Sequence, residues 1–290
     1  MNDVADFDVA IIGAGPSGSV SAALLHQQGF RVCVIERTHF PRFVIGESLL
    51  PYSMDILEEA DLVRVVQAQQ GFQYKNGAAF TWGERYTWFD FTDKFSKGPG
   101  TTFQVQRAVF DKILIDEVER RGVTVRYGQN VTGYEEVEGA SGEHLARLKI
   151  EAPEGAYTLQ ARFVLDASGY GRVLPRLLGL ERPSVLSPRK AIFTHIDDRI
   201  VGDDFDRNKI LISTHPADRG VWSWLIPFGN GRSSIGFIGE PEWINQRAAG
   251  LKAADEGALN EALLRGVVAE IPRLSRILRN AVWDNGVPFS

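Results

Sequence analysis

The run Asp8-Val9-Ala10-Ile11-Ile12 is short, β-branched and cut off by glycine, which reads as a buried β-strand. A helical pattern follows from about Ser17 to Gln28, with Val20, Ala23 and Leu24 as its apolar stripe. Gly29 ends it, and a second strand runs from Arg31 to Glu36. Strand, helix and strand within about thirty residues is the length of a parallel crossover. Residues 51–69 read as helical: Met54 and Leu57, then Leu62, Val65 and Val66, recur at three or four residues, with a phase break between the groups. Residues 77–103 are rich in aromatics and glycine and read as antiparallel strands. A helix returns from Arg107 to Arg121, with Val109, Phe110, Ile113, Leu114 and Val118 as its buried face.

The strand Val123–Tyr127 rejoins the first sheet. Residues 131–160 alternate polar and apolar, with turn signals at Glu138-Gly139 and Pro153-Glu154-Gly155, as in a β-meander. Arg162–Asp166 reads as a further buried strand, halted by Ala167-Ser168-Gly169. From Ala191 onward the pattern is antiparallel β, with strands at Trp222–Phe228 and Ser233–Gly239 around the loop 229–232. The last fifty residues are mostly helical, from Leu251 to about Arg265 and from Pro272 to about Asn280. No internal repeat interrupts this order. The pattern predicts two interleaved domains: an α/β nucleotide domain over 1–75 and 101–183, and a more antiparallel domain over 76–100 and 184–290.

Composition narrows the chemistry. The 290 residues are 44% apolar and 24% charged, and the net charge of −5 is interspersed, so nothing favours nucleic acid or an anionic membrane. No stretch approaches the roughly 18 apolar residues of a membrane span. The acidic start, Met1–Asp6, lacks the basic segment of a signal peptide, and a cytoplasmic location is expected. Cys33 is the single cysteine and sits in an apolar run, and the five histidines show no ligand spacing, so no metal site is expected.

The motif Gly13-Ala14-Gly15-Pro16-Ser17-Gly18 joins the first strand to the first helix, and Glu36 ends the next strand. In that context Gly13 permits a tight turn, Gly15 lets backbone approach a pyrophosphate, and Gly18 lets the helix pack on the strand. The helix N-terminus offers free N–H groups to phosphate, with Ser17 in its first turn, and Glu36 can accept from ribose hydroxyls. The motif by itself does not separate FAD from NAD. In Phe40–Pro51, Gly46 and Ser48 make another anion-friendly turn and Arg42 can approach phosphate or ribose, although a capped helix start reads the same way. Arg107 opens a helix, where the dipole does not favour a cation, so it is expected to face a negative partner, a cofactor's pyrophosphate or ring edge or the carboxylate of a surface ion pair.

Taken in order, these motifs resemble the flavin-dependent halogenase branch of the flavoprotein monooxygenase superfamily. The carriers are Gly46-Glu47-Ser48-Leu49-Leu50-Pro51 after the glycine motif, the segment Gly71–Gly83 around Lys75, Gln104–Asp111 around Arg107, Asp166-Ala167-Ser168-Gly169, and Trp222-Ser223-Trp224-Leu225-Ile226-Pro227. The resemblance implies an α/β fold of glutathione-reductase and aromatic-hydroxylase type: a Rossmann-like FAD-binding domain with a parallel sheet, and an interleaved antiparallel-β substrate domain with C-terminal helices. It implies FAD, used as FADH2, with dioxygen and chloride or bromide. It implies a separate flavin reductase as partner, and a small aromatic substrate, free or carrier-protein-bound. The cofactor contacts would be Gly13, Gly15, Ser17, Gly18, Glu36, Arg42, Ser48, Arg107, Asp166 and Gly169. Lys75 would be the catalytic residue that presents hypohalous acid to the substrate, and Trp222, Trp224, Ile226 and Pro227 would wall the tunnel beside it. The same scaffold also serves flavin monooxygenases and reductases of isoprenoid double bonds, and a truncated flavin-binding protein without catalysis is a third reading.

A further FAD motif of the family, a glycine-aspartate or glycine-asparagine segment with Asp-Pro and Ser/Thr-Gly, has no match after Gly239. The sequence therefore reads as a fragment of a longer product, the alternative being a degenerate relative. Val287-Pro288-Phe289 resembles the opening of another strand.

Overall fold

The computed structural model describes residues 5–140, 142–202 and 205–287. The N-terminal Met1–Val4 and the last three residues, including Pro288 and Phe289 of the expected terminal strand, lie outside the described residues. The chain divides into two compact units: the residues up to Ile45, Met54–Gln69 and Arg107–Pro183 in the first, and Gly46–Ser53, Gln70–Gln106 and Ser184 onward in the second. Residues 46–53, 70–75 and 101–106, which the sequence places with the nucleotide domain, fall in the second unit. Ser48 and Lys75 move with them.

The first unit is built on β1 (Phe7–Ile12), α1 (Pro16–Gln27) and β2 (Val32–Glu36), joined by β7 (Thr124–Tyr127), β8 (Asn130–Glu138), β9 (His144–Ala152) and β10 (Gly155–Asp166). The strand order is β7-β2-β1-β10-β9-β8. β7, β2, β1 and the second half of β10 run parallel, whereas the first half of β10 pairs antiparallel with β9. What the alternation divides into a meander and a separate strand at 162–166 is thus one strand of 12 residues. Its length serves two partners in succession.

Side chains alternate across the strands. Ala10, Ile12, Cys33 and Ile35 share a core with Val131, Leu148, Ile150, Leu159 and Ala161 of β8–β10. On α1 the buried residues are Gly18, Ser19, Ala22 and Ala23, while Val20 and Leu24 are half-buried. The stripe is small rather than bulky, so the helix axis can sit close to the sheet. The helix expected over 51–69 is broken into α2 (Tyr52–Glu59) and α3 (Val63–Gln67) at Asp61, whose φ of 55° no helix accommodates. α4 (Arg107–Arg120) buries Phe110, Asp111, Leu114, Ile115 and Val118, so its inner face includes a carboxylate that the apolar pattern passes over. The short α5 (Val173–Leu177) closes this unit.

The second unit carries a two-stranded sheet of β3 (Gln73–Lys75) and β6 (Thr102–Gln104) and a six-stranded sheet, β11-β14-β13-β12-β4-β5. The latter comprises β4 (Gly77–Trp82), β5 (Arg85–Asp90), β11 (Lys190–Asp197), β12 (Lys209–Thr214), β13 (Trp222–Pro227) and β14 (Arg232–Gly239). All its pairs are antiparallel except β4 with β12, which run parallel, so the sheet is mainly antiparallel. Three helices, α6 (Pro241–Ala249), α7 (Glu256–Glu270) and α8 (Pro272–Ile277), follow. α7 begins five residues later than its periodicity suggests, at an Asp255 N-cap that accepts from Ala258 N–H at 2.8 Å. Ile192, Leu211, Leu225, Ile235 and Phe237 of the sheet share a core with Leu264, Val267, Leu274 and Ile277 of the helices. Each such side chain contributes roughly 1.5–3 kcal/mol by leaving water.

Candidate functional site

In the first unit the glycine motif occupies the turn expected of it. Gly13 has a φ of +101°, and a Cβ there would come within 2.7 Å of Ala167 O. A Cβ on Gly18 would lie 1.9 Å from Gly13 O, so only hydrogen fits where α1 crosses the loop. α1 starts with Pro16, and no side chain caps its first amides. The N–H end that a phosphate would need is therefore open, with Ser17 exposed beside it.

A charged cluster surrounds this loop. Arg42 Nη2 lies 3.7 Å from both Glu36 Oε2 and Asp111 Oδ2, and it would be 3.5 Å from a Cβ on Gly15. Its Nε is buried without a partner. Glu36 accepts from Ala14 N–H at 2.9 Å and from Thr38 N–H and Oγ at 2.9 and 2.7 Å. It thus ties β2 to the glycine loop, with one Oε2 position still able to accept a hydroxyl. The fit to a nucleotide diphosphate rests on these features: an orphaned guanidinium N–H, an uncapped helix start and a cradle that a Cβ would fill.

Two expected cofactor residues have partners within the protein. Arg107 makes a bidentate pair with Asp111 at 2.7 and 3.0 Å and donates to Ile45 O at 2.8 Å. The negative partner that its helix-start position demanded is this fully buried carboxylate, one turn along the same helix. Asp166 accepts from Ser168 N–H at 2.9 Å and Leu174 N–H at 2.8 Å, closing the strand-end turn and the start of α5. Gly169, at φ +56°, opens the turn that follows, with nothing within 4 Å of its Cβ position.

In the second unit, residues 47–49 lie alongside β6. Val105 N–H donates to Glu47 O at 2.7 Å, Leu49 N–H donates to Phe103 O at 3.1 Å, and Ser48 sits opposite Gln104. The Gly46–Pro51 motif, read as an anion turn or helix cap, is therefore partly a strand edge. Lys75 ends β3 with 2% of its surface exposed, which excludes the exposed-turn lysine that such a glycine-rich segment also suggests. Its Nζ donates to Leu49 O at 2.6 Å and lies 5.1 Å from the Phe91 ring centroid. Burial pushes the amine down to about 8 from its ordinary 10.5.

Apolar periodicity does not reveal a second buried pair: His195 Nε2 lies 2.6 Å from Glu47 Oε1, and Glu47 Oε2 is buried without a partner. Glu47 and His195 are 148 positions apart. Only the charge of an otherwise apolar segment at 44–51 could have flagged the first of them. On β13, Trp224 is 5% exposed, and its Nε1 donates to Ser234 Oγ at 3.1 Å. Trp222 is half-buried, its ring 6.2 Å from that of Trp224, while Ile226 and Pro227 are buried. Among the described residues no group of three or more His, Cys, Asp or Glu could hold a metal ion, and no helix is long and apolar enough to cross a membrane.

Comparison with known proteins agrees with this geometry. Residues 6–270 match the family model described as FAD binding domain. The chain is 28% identical over 275 residues to the tryptophan 2-halogenase of Chondromyces crocatus, covering 90% of this chain and 50% of that protein. It is 28% identical over 260 residues to the 1H-pyrrole-2-carbonyl-[peptidyl-carrier protein] chlorinase of Pseudomonas fluorescens, covering 80% and 56%. Among solved structures, a flavoprotein/dehydrogenase from Cytophaga hutchinsonii superposes with a TM-score of 0.85 at 40% identity, over 98% of this chain and 65% of that one. The flavin-dependent halogenase CmlS gives 0.82 at 29% identity, over 98% and 49%. The chain spans about half the length of the curated relatives it matches. With the glycine loop, its acidic strand end and the family match covering the same residues, the chain belongs to the FAD binding domain family, on a Rossmann-like α/β fold shared with flavin-dependent halogenases.

Proposed function

We propose that the protein acts as a reduced-flavin-dependent halogenase on a small aromatic substrate such as a phenol, pyrrole or indole. The carrying observation is Lys75, buried and held by one backbone carbonyl, with burial pushing its amine down towards about 8. Bound and reduced, FAD would supply two electrons and the halide two more, so that dioxygen, a halide ion and a proton give hypohalous acid and water. Gly13, Gly15, Ser17, Gly18, Glu36 and Arg42 would hold its nucleotide half, on the open helix start and the free Arg42 Nε. Arg107 and Asp166 would act through the turns they fix, and Gly169 by leaving backbone accessible. Lys75 has one ammonium hydrogen on Leu49 O and two left to orient an oxidant's oxygen. The aromatic face of β13, with Trp222 and Trp224, would confine the substrate. Reducing equivalents would come from a separate flavin reductase, and the carrier-bound pyrrole in one relative's name makes a carrier-tethered substrate the first to try.

The test is the intact protein with a flavin reductase, NADH, bromide and a panel of phenols, indoles and carrier-bound pyrroles, read by mass spectrometry. Brominated product is expected. Hydroxylated or reduced product with no bromination would replace this reading with a halide-independent flavin oxidoreductase, which the 40% identity to a flavoprotein/dehydrogenase favours. In the same assay Lys75→Ala is expected to lose about a hundredfold or more of the halogenation, the scale of a positioned proton-donating group, while FAD binding persists.

A further inference from the structure

Three buried oxygen atoms without hydrogen-bond partners occupy adjacent positions in the second unit: Ser48 Oγ, Thr102 Oγ1 and Gln104 Oε1. Thr102 pairs with Lys75 across β3 and β6, and Ser48 lies opposite Gln104. Thr102 and Gln104 are two residues apart on one strand, so all four side chains leave the same face of the small sheet. Thr102 is 1% exposed and Gln104 fully buried. The Gln104 amide is oriented by its own contact, since Nε2 donates to Arg207 O at 3.0 Å. The atom it leaves open is therefore an acceptor. Leaving a buried polar atom unpaired costs roughly 1–3 kcal/mol, and three on one strip beside a lysine call for a common occupant.

The donors and acceptors define that occupant. Two hydroxyls and the Lys75 ammonium can donate to an oxygen, and the Gln104 carbonyl can accept one O–H. A bare halide ion would meet the Gln104 oxygen with like polarity, whereas a small neutral hydroxylic molecule satisfies both sides. We propose that Ser48, Thr102 and Gln104 form a subsite that retains hypohalous acid beside Lys75, with Gln104 Oε1 accepting its O–H while Lys75 Nζ and the neighbouring hydroxyls share the two lone pairs of its oxygen. The inference rests on the halogenase reading and adds to it the residues that keep the oxidant from escaping before the substrate reacts.

Two experiments test it. In the first, the intact wild type, Ser48→Ala and Thr102→Val turn over reduced FAD with bromide, a phenol and an external scavenger of hypobromous acid. Per flavin oxidised, both variants are expected to shift bromination from phenol to scavenger about five- to tenfold, the loss of one hydrogen bond. Thr102→Ser, which keeps the hydroxyl, is expected to restore the wild-type split. FAD binding and tryptophan fluorescence check the fold, and Ser48→Ala carries the test if Thr102→Val does not fold. In the second, crystals without flavin are soaked with hydroxylamine, a neutral hydroxylic probe of similar size. Density within hydrogen-bond reach of Ser48, Thr102 and Gln104 is expected in the wild type and lost in Thr102→Val. Ordered water alone at that position, or a split unchanged by either variant in an active wild type, overturns the subsite. A wild type that brominates neither phenol nor scavenger overturns the halogenase reading, and the subsite with it.

Discussion

A lysine ammonium withdrawn from water gives up its proton more readily than one left in it, and Lys75 is withdrawn almost completely. Its folded-state value of about 8 lies below the ordinary 10.5. Between those two values the unfolded chain binds the extra proton, so this residue makes the protein more stable as pH rises from about 8 to 10.5, and Lys75→Met removes that rise. The direct measurement is pH-dependent acylation followed by peptide mass spectrometry. Lys75 is expected to become reactive with a midpoint near 8, well before exposed lysines. A midpoint indistinguishable from theirs would refute the buried-amine account. The lysine was legible in the sequence only through the motif around it, because residue type and glycine-rich flanks equally describe a surface turn. Asp111 shows the converse. Its spacing of four from Arg107 signals an ion pair on one helix face, but nothing in that spacing says that the pair is buried.

At the scale of elements, local pattern identified most strands and helices and missed what depends on distant partners. β1, α1 and β2 were readable because glycine punctuates them and the crossover is short. The parallel pairing of β4 with β12, and the placing of 47–49 against β6, were not, since each joins segments far apart in sequence. β13 and β14 were readable as strands, yet their packing turns on a glycine. A Cβ on Gly236 would meet the Trp224 ring at 2.4 Å and Phe193 Cβ at 2.5 Å. Gly236→Ala is therefore expected to displace the indole and cost roughly 1–3 kcal/mol, as overpacking does. Denaturant titration and a shift in tryptophan emission would register it, and an unchanged emission spectrum would count against it. Glu270 of α7 joins three elements: it pairs with Arg247 of α6 at 2.6 Å and with His215, just beyond β12, at 2.7 Å. The Arg247 bond, followed by that of His215, holds its carboxyl down at about 2. The stabilisation is present above the ordinary 4.5 and is lost as pH falls from there towards 2. Glu270→Gln is expected to lose less stability than the wild type between about pH 5 and about pH 3, as read from urea midpoints.

For the molecule as a whole, the sequence pattern predicts two interleaved domains with boundaries where motifs end. The chain changes units at 46–53, inside a motif. Physical contact, not motif integrity, decides membership: Glu47, Ser48 and Leu49 find their backbone and side-chain partners among residues of the second unit. The segment after α8 illustrates the same rule at the other end of the sequence. Asp197 and Val282 exchange two backbone hydrogen bonds, Gly286 N–H donates to His195 O, and Thr194 Oγ1 donates to Val287 O at 2.7 Å. Arg232 clamps Asp284 with two bonds of 2.8 Å. This segment covers the end of an outer strand of the six-stranded sheet, β11, at Thr194–Asp197, where unpaired amides and carbonyls would otherwise be open to another chain. A protein shortened to end at Ala281 is expected to keep its helices and sheet but to elute as concentration-dependent oligomers in size-exclusion chromatography, through β11 of one molecule meeting β11 of the next.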